Sequence, residues 1–329
     1  MAEWLYEAGI GEARAALIDG DCIVEAHIEP ERGGIRVGAI VEGRLAEILV
    51  PHRRGVVVLA DGTELLVEPL ARDWTDGASV RVEVVRERIG ESGRSKRAKA
   101  RPADRMLQTG PDLYTRIVAS GIPVRTLHRH ESDALEAAGW TELLECAASG
   151  LFAFSGGMLR IEGTAAMTVI DVDGYLPPAP LGIAAAGAAA TAIRACAISG
   201  SIGIDFPTVD SRADRLAIAD AFDRALPLRF ERTAVNGFGF MQIVRPRYRA
   251  SLIEQMRADP VGHATRALLR RAERSGIVGA SRLVAPAAIA VLLEQQPHWV
   301  NALARILGGT IGLRSDAALS MSGAYVETA

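Results

Sequence analysis

Two stretches decide how this chain reads: AMTVIDVDG (166–174) and SIGIDFPTVD (201–210). In each, an apolar run ends in an acid. The first delivers Asp171, with Asp173 two residues on; the second delivers Asp205, with Asp210 in the following loop. Between them lies LGIAAAGAAATAIRACAISGSIG (181–203), rich in Ala and Gly and carrying Arg194. A bilayer span wants about 20 strongly apolar residues, so this mild segment reads as a helix packed closely on a sheet. Strand, helix and strand from Asp171 to Asp205 fit a crossover unit of about 30 or more residues. Such units favour parallel neighbours, so both acids should emerge at the same sheet edge. Paired carboxylates repel each other and favour a bound cation, and oxygen ligands select Mg²⁺ or Mn²⁺. Such an ion can activate water and stabilise charge on a phosphate. Taken alone, a strand-end Asp is as often a turn former or a helix cap.

Outward from this core, WLYEAGIGEARAALIDGDCIVEAHIE (4–29) alternates in the manner of paired strands, with a turn at IDGD. Residues 37–88 hold short β patterns joined at Arg53-Arg54-Gly55, Asp61-Gly62 and Asp76-Gly77, which suggests a small barrel such as an OB-fold. RERIGESGRSKRAKARPADR (86–105) is basic. It reads as a solvated linker or as a phosphate-contacting segment using Arg94, Lys96, Arg97 and Lys99. Residues 109–150 look helical, with Ser132 as a cap. Strands return at 151–172. Helices are predicted over 212–225, 261–275 and 285–306, with loop and strand over 229–246 and short strand-like pieces at the end.

Composition narrows the function classes. At 329 residues, with 49% hydrophobic and 23% charged, the chain has material for two or three cores and is no disordered tail. The formal net charge of -3 gives no global basic field, so a nucleic acid would need a local patch. Of 37 basic residues only Lys96 and Lys99 are lysine; arginine suits phosphate recognition. Cys22, Cys146 and Cys196 are too dispersed for a disulfide framework or a zinc knuckle. No stretch at the start has the pattern of a secretory signal, so the cytoplasm is the expected compartment. His128 and His130 could chelate on a strand, but a solvated pair is the plainer reading. Neither a G-x-S-x-G elbow nor a G-x-x-x-x-G-K-[ST] loop occurs.

Three ordered blocks carry a family resemblance. SGGMLRIEGTAAMTVIDVDG (155–174), SIGIDFPTVD (201–210) and FERTAVNGFGFMQIVRPRYRASL (230–252) resemble segments of the bacterial ribonuclease E/G family. The opening strands (4–29), VAPAAIAVLLEQQ (284–296) and SDAALSMSGAYVE (315–327) are more weakly similar to it. The resemblance implies an α+β multi-subdomain fold. An OB-fold barrel (38–91) would be inserted in an RNase H-like subdomain (1–37 plus 92–150). A DNase I-like catalytic subdomain (151–258) and a small α/β C-terminal domain (259–329) would follow. It implies a Mg²⁺-dependent endoribonuclease (Mn²⁺ being an alternative ion) that hydrolyses single-stranded RNA to 5′-phosphate and 3′-hydroxyl ends, in RNA processing or decay. By motif position Asp171 and Asp205 are the metal-binding aspartates. Asp173 stands where the family has Asn; it is expected to accept hydrogen bonds or to join the metal ligands, but it cannot donate as an amide can. Arg245, Arg247 and Arg249 would contact the RNA backbone.

The departures shape the expectation further. The stretch MRADPVGHATR (256–266) lacks the family's Cys-Pro-x-Cys zinc link, so no zinc is expected. Any oligomer would then pack through the small C-terminal domain. Little room remains between Arg88 and Leu151 for a 5′-end sensor, Gly237 replaces an expected Arg, and Arg125-Thr126 stands outside the sensor's context. Sensing of a 5′-monophosphate is therefore expected to be lost. Residues 37–88 offer only Trp74 for stacking. The alternative is an RNA-binding protein of the same fold with weak or no nuclease activity. A more distant one is a scaffold that no longer binds RNA.

Overall fold

The computed structural model describes residues 2–31, 34–91 and 94–329. It is a mixed α+β fold with a closed five-strand barrel and several sheets. Strands β1 (Glu3–Gly9), β2 (Glu12–Asp19) and β3 (Cys22–Pro30) form an antiparallel meander. Its alternation buries Leu5, Ala16, Ala26 and Ile28 on one face and Trp4, Ala15 and Leu17 on the other.

The barrel is built from β4 (Ile40–Val50), β5 (Arg54–Val58), β6 (Glu64–Val67) and β7 (Ser79–Arg86). A small hairpin of β8 (Ile89–Glu91) and β9 (Arg94–Lys96) follows, and then β10 (Ala98–Pro102). β10 closes the barrel, parallel to β6 and antiparallel to β7. Leu45, Val57, Leu65, Val67, Val80, Val82, Val84, Ala98 and Ala100 fill the interior. The basic run (86–105), read as a solvated linker or a phosphate-contacting segment, in fact holds the closing strand of the barrel, which lies beyond the boundary read at 91. Its inward side chains are only Ala98 and Ala100, too small to stand out between Arg97, Lys99 and Arg101.

After α1 (Leu113–Val118), strand β11 (Val124–Thr126) returns to pair in parallel with β1, Trp4 opposite Val124. The helical stretch beyond divides into α2 (Ala134–Ala137) and α3 (Trp140–Ser149) at Gly139, whose φ is 91°. The cap is Asp133, whose carboxylate accepts from the backbone N–H groups of Leu135 and Glu136, rather than the expected Ser132.

The main sheet follows: β12 (Leu151–Phe154), β13 (Gly157–Gly163), β14 (Thr168–Gly174), α4 (Pro178–Ala195), β15 (Gly200–Asp205), α5 (Arg212–Ala225), β16 (Glu231–Arg232) and β17 (Phe240–Arg245). Its strand order is β12-β13-β14-β15-β17-β16. The crossover β14-α4-β15 joins two parallel strands, as its spacing predicts. Ala185, Ala186, Ala189 and Ala190 of α4 are fully buried, in one core with Leu159, Ile161, Ile170, Ile202, Ile204, Met241 and Ile243 of the sheet. Their small size is what lets the helix lie close. Among the described residues no helix is long and apolar enough to cross a membrane.

The chain ends with α6 (Leu252–Ala258), α7 (Pro260–Glu273), β18 (Ser281–Ala285), α8 (Ala287–Gln295), α9 (Pro297–Leu307), β19 (Ile311–Ser315) and β20 (Tyr325–Thr328). The long helix expected over 285–306 breaks where Pro297 starts α9. Helix α8, in the domain through which any oligomer was expected to pack, buries Ile289 and Leu293 in this unit's own core.

A buried ionic layer ties this unit to the first sheet. Arg266 donates to Glu12 at 2.8 Å and Arg270 donates to the same carboxylate. Arg274 reaches Glu7 at 2.8 Å. Arg14 donates to Glu7 at 2.6 Å and to Asp133 at 2.5 Å, and lies over the Trp140 ring. Trp299 covers the turn at Gly11 and donates to Glu31 at 2.9 Å; a Cβ at residue 11 would stand 2.8 Å from that ring.

Candidate functional site

The alternation of β14 and β15 turns Ile170 and Ile204 into the core and leaves Asp171 and Asp205 on the open face. The two aspartates are register partners on neighbouring parallel strands. Adjacent strands run about 4.8 Å apart, and residues in register share a face. The carboxylates are therefore side by side. Both are exposed, and neither makes a hydrogen bond or ion pair with any described residue.

The row extends on both sides. Arg160 of β13 is opposite Asp171, and Phe240 of β17 is opposite Asp205. The Phe240 ring lies over Gly203: a Cβ there would stand 2.5 Å from the ring and 3.1 Å from the sulfur of Met167. A glycine on this strand is what leaves room for an aromatic wall beside Asp205. Asp173 is exposed on the same face of β14, one row nearer the edge, opposite Met158 and beyond the end of β15. It is not gathered to the pair. Among the described residues no group of three or more His, Cys, Asp or Glu is arranged to hold a metal ion.

The loops at this edge are held by their own bonds. The Asn236 side-chain oxygen accepts from the N–H groups of Phe238 and Phe240 at 2.9 and 3.0 Å. The carbonyl of Gly239 accepts from Phe206 N–H at 3.1 Å. This turn holds Phe238 83% exposed next to the end of β15, and Tyr175, just past β14, is also 83% exposed. Phe238 and Tyr175 thus present two uncovered aromatic rings just past the ends of the strands that carry the aspartates.

The arginines expected to contact RNA are occupied elsewhere. Arg245 donates to the carbonyl of Ile198, and burial lowers its pKa. Arg247 pairs with Glu254 in the same loop-to-helix segment. Arg249 pairs with Glu87 of the barrel at 2.9 Å; burial and Arg116 lower its pKa against the pull of Glu87. These three fasten β17 and its following loop to the rest of the chain. Arg97 pairs with Glu64 at 2.5 Å, and Lys99 with Glu68 at 2.9 Å, both across the outside of the barrel. The hydrogen bonds from Lys99 and Arg54 hold the Glu68 carboxyl below its usual range. Lys96 ends β9 and is engaged, and the side chain of Arg94 lies outside the described residues. Arg125 and Thr126 lie on β11, with Arg125 3.8 Å from Glu3. His128 and His130 are exposed and stacked, their ring centroids 5.6 Å apart.

Sequence reasoning missed Arg160, Phe240 and Phe238. The signal for Arg160 was present in MLRIEG, an arginine alternating with the buried Leu159 and Ile161. Its importance needs the antiparallel register that puts it opposite Asp171. No known protein-family model matches this chain, and no curated protein matches it.

Proposed function

We propose that this protein is a metal-dependent endoribonuclease of the ribonuclease E/G type, hydrolysing phosphodiester bonds in single-stranded RNA. In this reading the barrel is an OB-fold and the first sheet RNase H-like. The main sheet is DNase I-like and carries the active site, and the C-terminal unit is the small α/β domain. The observation that carries the proposal is the register pairing of Asp171 with Asp205, exposed on the open face of the main sheet and without an ion pair among the described residues. Two oxygen-donor side chains side by side suit Mg²⁺, which binds through one or two carboxylates and keeps several waters. Mn²⁺ has the same ligand preference. When bound, the ion supplies an activated water and offsets charge on the phosphate.

The chain's own residues do the rest. Asp171 and Asp205 hold the ion. Asp173, a row closer to the edge, accepts hydrogen bonds from water or from a ribose hydroxyl. Phe238 and Tyr175 offer faces on which unpaired bases stack, a contact sensitive to single-strandedness and tolerant of sequence. With Gly237 in a position where a Cβ would meet nothing within 4 Å, the edge lacks the arginine that would bind a 5′-phosphate.

The test is cleavage of end-labelled single-stranded RNA in Mg²⁺, in Mn²⁺ and in EDTA, with Asp205→Asn as control. Cleavage that needs the ion and the aspartate, leaving 5′-phosphate ends, is the expected outcome. RNA binding without cleavage would replace the proposal with an RNA-binding protein of the same fold. No salt-dependent RNA affinity would point to a scaffold.

A further inference from the structure

Arg160 stands on the open face, on the strand beside Asp171, with no polar partner among the described residues. It is exposed, and its register partner is Asp171, with Asp205 next in the row. Cross-strand neighbours have Cβ atoms about 4.5–5.5 Å apart, well within reach of an ion pair. Yet Arg160 makes no ion pair or hydrogen bond with any described residue. Other exposed strand arginines of this chain behave differently: Arg101 takes Glu83, Arg125 takes Glu3 and Arg314 takes Glu327.

We infer that Arg160 is a phosphate-binding residue of this site, holding the non-bridging oxygens of the nucleic-acid phosphate that lies over Asp171 and Asp205. The inference rests on the proposed ribonuclease reading and adds a substrate contact to it. Charge balance supports it. Asp171, Asp173 and Asp205 together carry one negative charge more than a divalent cation cancels, and a phosphodiester would be repelled by that remainder. Arg160 offsets it from the β13 side, while the β17 side of the row is closed by the uncharged Phe240. A guanidinium also fits the task by shape, because its planar fork donates two parallel hydrogen bonds to one phosphate. The phosphate would thus be held between Arg160 and the cation side of the aspartate pair, with its bases toward Phe238 and Tyr175 at the edge.

The experiment has two arms. In the first, a fluorescent single-stranded oligouridylate is titrated against the full chain in EDTA at several salt concentrations, for the native protein, Arg160→Gln and Arg160→Lys. One lost phosphate contact should lower the slope of log affinity against log salt by about 0.7 in Arg160→Gln, and Arg160→Lys should retain the slope. In the second, the same proteins cleave labelled RNA in Mg²⁺. Arg160→Gln should lose tenfold or more in kcat/KM, Arg160→Lys should recover part of it, and the melting temperature should not move. An unchanged salt slope together with unchanged kcat/KM in Arg160→Gln overturns the inference. Absence of cleavage by the native protein would sink the ribonuclease reading, and the binding arm would still decide Arg160.

Discussion

Arg266 of α7 donates to the Glu12 carboxylate of β2 over 2.8 Å, joining residues 254 positions apart in the chain. Glu12 is 6% exposed and also accepts from Arg270. Removing one member of a buried ionic set leaves the others uncompensated, a loss of about 3–5 kcal/mol. Glu12→Gln is therefore expected to lower stability by that order in urea denaturation. Arg97→Ala, which breaks an exposed pair with Glu64, should cost less than about 1 kcal/mol. Equal effects of the two would refute the assignment of the interface to Glu12.

The same layer sets a pH response. Burial pushes the Glu273 carboxyl up to about 7, with the Glu7 charge adding to the rise and a hydrogen bond from Ile10 N–H opposing it. Its folded pKa is raised, so its contribution is whole below its ordinary 4.5 and is lost as pH climbs to about 7. Burial and the Arg266 charge pull His263 down to about 4 against Glu12 and Asp259. Its contribution is whole above its ordinary 6.5 and is lost as pH falls to about 4. Melting temperature against pH should show both limbs. Glu273→Gln should flatten the loss between pH 4.5 and 7, gaining up to about 3 kcal/mol at neutral pH and above. His263→Gln should flatten the acid limb. A curve unmoved by either variant would contradict these positions.

For the aspartate pair, the expected stability effect has the opposite sign to that of the buried, ion-paired Glu12. Among the described residues, Asp171 and Asp205 make no hydrogen bond or ion pair that substitution would break. Neutralising either removes a like-charge neighbour. Asp171→Asn and Asp205→Asn should melt at the native temperature or slightly above it in EDTA. The native protein should gain stability with added Mg²⁺ through linkage, and the variants should not. A Mg²⁺-induced shift that persists in both variants would place the ion elsewhere.

Gly203 tests the aromatic wall. A Cβ at residue 203 would meet the Phe240 ring at 2.5 Å, so Gly203→Ala must displace the ring. Overpacking of this kind costs about 1–3 kcal/mol, measurable as a lower melting temperature, and RNA cleavage should fall with it. A variant with native stability and native cleavage would show that the ring moves freely.

Because residue 237 is a glycine in open space, RNA with a 5′-monophosphate and RNA with a 5′-hydroxyl should be cleaved at rates within about threefold, roughly 0.6 kcal/mol in barrier. Competition between the two substrates in one reaction measures this directly. A tenfold preference for the monophosphate would reveal a sensor.

Much of the main sheet was legible because its signals are strong and local. Ile170 and Ile204 alternate with Asp171 and Asp205, and the linking segment is too small-residued for anything but a close-packed helix. That reasoning reached the shared edge, and the structure adds the register. Other features depended on distant partners. β10 has only alanines facing inward, so its membership of the barrel comes from pairing with β6 and β7. Arg245, Arg247 and Arg249 look like a basic patch in sequence, yet each finds a partner elsewhere in the fold: a carbonyl, a helix glutamate and a barrel glutamate. Arg160 is the converse case, a single arginine in an apolar strand that gains meaning only from what stands opposite.

The ionic layer between the first sheet and α7 also constrains how the chain is made. β1 cannot gain its parallel partner until Val124 has followed Trp4 out of the ribosome, with the whole barrel in between. Glu7, Glu12 and Arg14 then wait for Arg266, Arg270 and Arg274 before their charges are matched. Contacts of such long sequence separation form late, because loop closure must precede them. The barrel, whose strands all fall between residues 40 and 102, can fold as the chain emerges. The acids of β1 and β2 are therefore synthesised long before the α7 arginines that match them, and this face of the first sheet stays uncompensated until the C-terminal unit has been made.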